Sequence, residues 1–296
     1  MKSIADTLSP NGATWRILAP EEQTMPLVFA SPHSGNDYPP AFLAASRLDP
    51  QALRRSEDCF VDHIFAAAPG HGAPLLHALF PRAYLDPNRE PFELDPEMFE
   101  DSLPSYVNSR SARVAAGLGT IARVVASGQN IYKDKLRFAE AAERIDNFYR
   151  PYHRALQRLV DQTRERLGRC LLIDCHSMPS VGGPMDRDAG MKRVDFVLGD
   201  CFGASCASAV TGGVEDVLKD MGYGVARNTP YSGGYTTVHY GRPSAKVHAL
   251  QIEVNRALYM DETTMQPTRR MGALVEQMST LIAALKQLSK MLPDEQ

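Results

Sequence analysis

A chain of 296 residues, 44% hydrophobic and 23% charged, has the composition of a globular protein with a sizeable core. Its formal net charge is −3 and it carries no basic run that could follow a phosphate backbone, which argues against nucleic-acid binding. No stretch approaches the ~20 apolar residues of a membrane span, and the start (MKSIADTLSPNGATW) lacks the apolar core of a signal peptide, so a cytoplasmic protein is expected.

In chain order, strand-like runs fall at Leu27–Ala30, Leu75–Phe80, Ala83–Asp86, Cys170–Asp174, Val194–Leu198, Gly224–Asn228 and His248–Val254. Helical patterns lie between many of them. Ser56–Ala68 has apolar residues at 60, 61, 64, 65 and 68, with Ser56 as its N-cap. Phe138–Leu167 is a charged helical region that Pro151 should kink or split. Ser205–Met221 is a third helix, interrupted by Gly212 and Gly213. In the last helix Leu274, Val275, Met278, Leu281, Ile282, Leu285, Leu288 and Met291 share one face, a core-packing stripe, before a frayed tail at Pro293–Gln296. This alternation predicts a layered α/β fold. Without repeats or linkers, residues 1–296 read as one domain with a core at about 24–290. Cys59, Cys170, Cys175, Cys201 and Cys206 lack zinc-finger spacing; Cys170 and Cys175 read as core filler.

Two histidines stand where strands give way to loops, His33 in SPHSG and His176 in DCHS, each after a short apolar run. Such strand ends converge at the carboxyl edge of an α/β sheet. Two histidines and one carboxylate would hold a zinc ion with one position open for hydrolysis. Asp58, placed in the first turn of the Ser56 helix, is the candidate third ligand, with Glu57 and Asp37 competing. Asp174 suits the orientation of His176.

PRAYLDPNRE supplies a clamp: the planar fork of Arg89, with Asn88, suits a substrate carboxylate, and Arg82 suits an oxyanion. A surface salt bridge is the plainer reading of such a pair. Glu253, within the apolar run HALQIEVN, must be paired, for example with Arg256, or act as a general base. The loop NTPYSGGYTTVHYGRP offers His239 and Arg242 as substrate contacts.

Taken together and in order, SPHSG, SEDCFVDHIF, RAYLDPNREP, IDCHSMPS, NTPYSGGYTTVHYGRP and LQIEVNRALYMDE resemble the N-formylglutamate amidohydrolases, from Ser31 to Glu262. That family is similar to the zinc carboxypeptidase and aspartoacylase group, which implies a mixed central sheet flanked by helices. The resemblance implies a zinc-dependent amidohydrolase cleaving N-formyl-L-glutamate to formate and L-glutamate, the last step of one histidine-degradation route. It implies His33 and His176 as zinc ligands, Glu253 as general base, Arg82 as the oxyanion arginine, and Asn88 with Arg89 as the carboxylate clamp. One departure stands out. The wider group takes its second ligand from His-x-x-Glu, whereas the third residue after His33 is Asn36, so Asp58 is the substitute. Arg242 or Arg144 is the candidate for a second carboxylate anchor. The competing readings are a deacylase for another N-acyl amino acid or peptide, and an inactive metal- or ligand-binding protein on the same scaffold. Oligomeric state has no signature in the sequence.

Overall fold

The apolar runs lie side by side in a computed structural model that describes residues 13–184 and 186–292. Among these residues, seven strands form one mixed sheet: β1 (Trp15–Leu18), β2 (Leu27–Ser31), β3 (Leu75–Ala78), β4 (Cys170–Met178), β5 (Phe196–Gly199), β6 (Val225–Arg227) and β7 (Val247–Asn255), in the order β1-β3-β2-β4-β7-β5-β6. The central strands β3, β2, β4 and β7 run parallel, whereas β1 is antiparallel to β3 and β5 to β7. All nine residues of β4 and of β7 are buried, as expected of strands covered on both faces.

Two expectations about strands need correction. Ala83–Asp86 forms no strand: prolines 81 and 87 bracket it, and the Tyr84 N–H closes a turn on the Pro81 carbonyl. Conversely, β1 escaped the sequence reading because four residues (WRIL) carry too short an alternation to stand out.

Helices cover both faces: α1 (Pro40–Ala45), α2 (Pro50–Arg54), α3 (Val61–Ile64), α4 (Ala112–Ala115), α5 (Phe138–Arg144), α6 (Arg150–Leu167), α7 (Ser208–Asp220), α8 (Tyr235–Tyr240) and α9 (Met271–Leu288). The β4 side chains alternate between two cores. Cys170 and Leu172 join Tyr152, Leu156, Leu159 and Val160 of α6; Leu171, Ile173 and Cys175 join Val210 and Val214 of α7 and Leu281 and Leu285 of α9. Cys170 and Cys175 are therefore buried filler, and all five cysteines are unpaired.

The predicted Ser56–Ala68 helix is largely absent. Only α3 is helical, preceded by Phe60 at φ 66°, and the Ser56 hydroxyl accepts the Ala126 N–H instead of capping. Asp58 consequently lies on an irregular stretch ahead of the helix rather than in its first turn. Near Pro151 the expected break takes the form of a π-helical turn, Ile145–Tyr149, which joins α5 to α6 and leaves the proline in the first turn of α6. Helix α7 passes through Gly212 and Gly213 unbroken; a Cβ on Gly213 would meet Leu288 Cδ2 at 2.3 Å, so glycine permits the contact of α7 with the end of α9. Along α9, Leu274, Met278, Leu281, Ile282 and Leu285 are buried, but Met291 lies past the helix in a 3-10 turn and is 52% exposed. The expectation for Pro293–Gln296 falls outside the described residues. Among those described, no helix is long and apolar enough to cross a membrane.

Candidate functional site

One face of the sheet changes character along its strands. On β4, Cys170 and Leu172 give way to Asp174 and His176; on β7, Val247 and Ala249 give way to Gln251 and Glu253. The parallel register sets Asp174 beside Gln251 and His176 beside Glu253. Because side chains alternate with period two, these four groups share the face that is apolar at the other end of the strands. Strand β2 ends at Ser31, and His33 follows it to the same edge, bringing the His33 and His176 ring centroids to 4.8 Å.

Asp58 completes the group. Its N–H donates to the His33 carbonyl at 3.0 Å, and its Oδ2 lies 2.9 Å from His176 Nδ1 and 3.4 Å from His33 Nδ1. The opposite nitrogens are already committed: His33 Nε2 donates to Asp86 Oδ1 at 2.7 Å, and His176 Nε2 lies 3.0 Å from Asp174 Oδ2. Carboxylates on Nε2 turn the Nδ1 atom of each ring towards the Asp58 oxygen. His33 Nδ1 is buried without a hydrogen-bond partner. Three electron-rich atoms within 4.8 Å of one another, with one nitrogen orphaned, are a donor set for a cation, and this buried group can hold a metal ion. The competing carboxylates are elsewhere. Glu57 accepts from Tyr38 Oη at 2.6 Å and from Arg54 Nε at 3.1 Å, and Asp37 is exposed.

The acids here are held ionised. Burial alone would raise the Asp86 pKa, but the charges of His33, Arg89 and Arg82 hold it well below the usual carboxylate range. Asp58 is likewise depressed, burial being outweighed by the hydrogen bond from His176, the adjacent His33 imidazole and the Arg82 charge. Arg256 Nη2 reinforces it, donating to Asp58 Oδ1 at 3.2 Å. Glu253 behaves differently: burial pushes its pKa up to about 7, against the pull of His176. It accepts from Gln251 Nε2 at 2.8 Å and makes no ion pair with Arg256, whose partners are Asp58, Ser177 and the Arg55 carbonyl.

A cavity of about 330 Å³ opens over these groups, lined by His33, Arg82, Asn88, Arg89, His176 and Glu253 among others. Arg82 donates to Asp86 Oδ2 at 2.8 Å. Arg89 donates through Nε to the Leu118 carbonyl at 2.9 Å and through Nη1 to the Asn88 carbonyl at 2.8 Å, and burial lowers its pKa to about 10. Asn88 braces the site: its Oδ1 accepts the Thr236 N–H at 2.8 Å, and its Nδ2 donates to Asp174 Oδ2 at 3.4 Å.

Other expected contacts are not brought here. Residues 235–240 coil into α8, which carries His239 one turn from the cavity to stack on Tyr235 at 4.8 Å, and leaves Arg242 exposed beyond it. Only the preceding part of that loop, Pro230–Gly234, lines the cavity. Arg144 is buried over the Tyr84 ring at 4.3 Å and donates to Tyr132 Oη at 2.6 Å. The sequence reading assigned no role to Asp86 or Gln251 and overlooked Arg113. The signal for Asp86 was available, since an acid two residues before Asn88 sits inside the clamp motif itself.

Comparison with known proteins bears on this geometry. A family model described as N-formylglutamate amidohydrolase matches residues 25–260. Two relatives described as N-formylglutamate deformylase, from Pseudomonas putida and Pseudomonas aeruginosa, are 28% and 29% identical over 84% and 83% of this chain and 86% of each relative. A solved structure described as N-formylglutamate amidohydrolase from Ralstonia eutropha JMP134 is 35% identical with a TM-score of 0.85, covering 94% of this chain and 98% of that one.

Proposed function

The chain belongs to the N-formylglutamate amidohydrolase family, and from that premise we propose that it hydrolyses N-formyl-L-glutamate to formate and L-glutamate. The observation that carries the reading is the pairing of a metal-competent group with a buried acid: His176, beside Asp58, is the register neighbour of Glu253. His33, Asp58 and His176 would hold the ion, and two nitrogens with one carboxylate favour zinc. When bound, zinc supplies a Lewis acid that polarises the formyl carbonyl and acidifies a water.

The chain's own groups carry the rest. Glu253, with Oε1 held by Gln251, takes a proton from the attacking water as the C–O bond forms, then returns it to the amide nitrogen as the C–N bond breaks. Arg82 presents its guanidinium to the oxyanion. Arg89, steadied by two backbone carbonyls, holds the α-carboxylate, and Asn88 keeps the His176 side of the site aligned. We read the enzyme as a single domain working in the cytoplasm, a reducing compartment suited to five free thiols, in histidine breakdown.

The test is formate release from N-formyl-L-glutamate by the purified protein, before and after removal of metal with a chelator and after zinc is restored. Turnover that is lost on chelation and returns with zinc supports the proposal. Absence of turnover, or efficient turnover of N-acetyl or N-succinyl analogues instead, overturns it.

A further inference from the structure

A glutamate derivative brings two carboxylates, and Arg89 answers for only one of them. The charges around the cavity indicate what receives the other. Four arginines line it: Arg82, Arg89, Arg113 and Arg256. Arg82 is paired with Asp86 at 2.8 Å, Arg256 with Asp58 at 3.2 Å, and Arg89 approaches Asp86 at 3.7 Å. Arg113 has no acidic partner among the described residues, and its side chain is exposed at the rim.

Its placement is built rather than incidental. Helix α4, which carries Arg113, is capped by the Ser111 hydroxyl, which accepts the Val114 N–H at 3.0 Å. The turn after it is tied directly to the clamp. The Leu118 N–H donates to the Arg113 carbonyl at 2.8 Å, while the Leu118 carbonyl accepts from Arg89 Nε at 2.9 Å. One residue therefore links the backbone of Arg113 to the side chain of Arg89. The two are also electrostatically close: after burial and the opposing charge of Asp86, the charge of Arg113 is a further contribution to the Arg89 pKa, lowering it.

We propose that Arg113 binds the side-chain carboxylate of the substrate, so that Arg89 and Arg113 together select an N-formylated dicarboxylic amino acid over a monocarboxylic one. This rests on the reading of the site as an N-formylglutamate hydrolase. The inner guanidinium, fixed and buried, takes the carboxylate next to the scissile amide. The outer one, flexible and solvated, takes the carboxylate two methylenes further out.

The experiment compares N-formyl-L-glutamate with N-formyl-L-glutamine, which differ by one charge, in the native protein, Arg113→Gln and Arg113→Lys. The native preference for the glutamate compound in kcat/KM should fall by about tenfold or more in Arg113→Gln, mainly through KM, since a charge-assisted hydrogen bond is lost. Arg113→Lys should retain part of it. In parallel, calorimetry measures the affinities of L-glutamate and L-glutamine, without turnover. A preference that persists undiminished in Arg113→Gln overturns the assignment, as does equal affinity of the native protein for the two amino acids. If the native protein releases formate from neither compound, the hydrolase reading fails. The binding preference then decides on Arg113 alone: its loss in Arg113→Gln supports the anchor, and its persistence overturns it.

Discussion

His33 Nδ1 faces Asp58 Oδ2 across 3.4 Å, buried and without a hydrogen bond, while the other nitrogen of the ring is held by Asp86 at 2.7 Å. Asp86 therefore decides which nitrogen of His33 faces Asp58, although it is not itself in the metal-competent group. Replacing Asp86 by the isosteric asparagine should reduce metal affinity by about 10–100-fold. Competition with a chromogenic chelator measures this directly, and native-like affinity would remove Asp86 from the account.

Glu253 should separate catalysis from metal binding. Glu253→Gln keeps the shape and the contact with Gln251 but cannot accept the proton, so kcat should fall by roughly 10²–10⁴-fold. Metal content, read by elemental analysis, should stay at the native level. Full activity in this variant would exclude Glu253 as the base.

Gly35 holds the His33 loop against the neighbouring chain. A Cβ there would lie 2.3 Å from the Phe80 carbonyl oxygen and 2.5 Å from Leu79 C, both backbone atoms that cannot swing aside. Gly35→Ala should destabilise the protein by about 1–3 kcal/mol and weaken metal binding as His33 shifts. Gly70→Ala, with nothing within 4 Å of its Cβ, is the control and should stay within roughly 0.5 kcal/mol of native. Denaturant titrations of both variants provide the comparison.

His153 gives a pH signature. It sits behind the clamp, with Nε2 donating to the Pro87 carbonyl at 2.8 Å and Nδ1 2.8 Å from Tyr240 Oη, and burial lowers its pKa from 6.5 to about 4. Between these values the unfolded chain takes up a proton that the folded protein refuses. Its contribution to stability is thus complete above pH 6.5 and is lost as the pH falls towards 4. At 1.36 kcal/mol per pKa unit the loss is about 3 kcal/mol. In His153→Gln the decline of unfolding free energy across this window should be shallower than in the native protein; parallel profiles would refute the assignment.

The legible parts of the molecule were those governed by short-range rules. Continuous apolar runs marked β2, β4 and β7, and the position of His33 and His176 where such runs end pointed to a shared site. Glu253 was conspicuous because an acid in an apolar strand requires a reason. Other readings failed where tertiary contacts outcompeted local preference. Ser56 gives its hydroxyl to Ala126 rather than to a helix, so the helix starts late and Asp58 is released to reach both histidines. His239 follows its helix away from the cavity for a similar reason: the pattern of a loop cannot show where coiling begins.

Sequence alone determined the α/β class and marked the two histidines, the buried acid and the arginines of PRAYLDPNRE as candidates, because apolar runs and the chemistry of side chains are properties of neighbouring residues. The tertiary structure decided which carboxylate joins the histidines, which nitrogen of each ring faces it, and which arginine stands unpaired at the rim. Those outcomes depend on distances between segments far apart in the chain: Asp58 is 118 residues from His176, and His33 is 53 from Asp86. Only the packing of the sheet and its loops sets such distances.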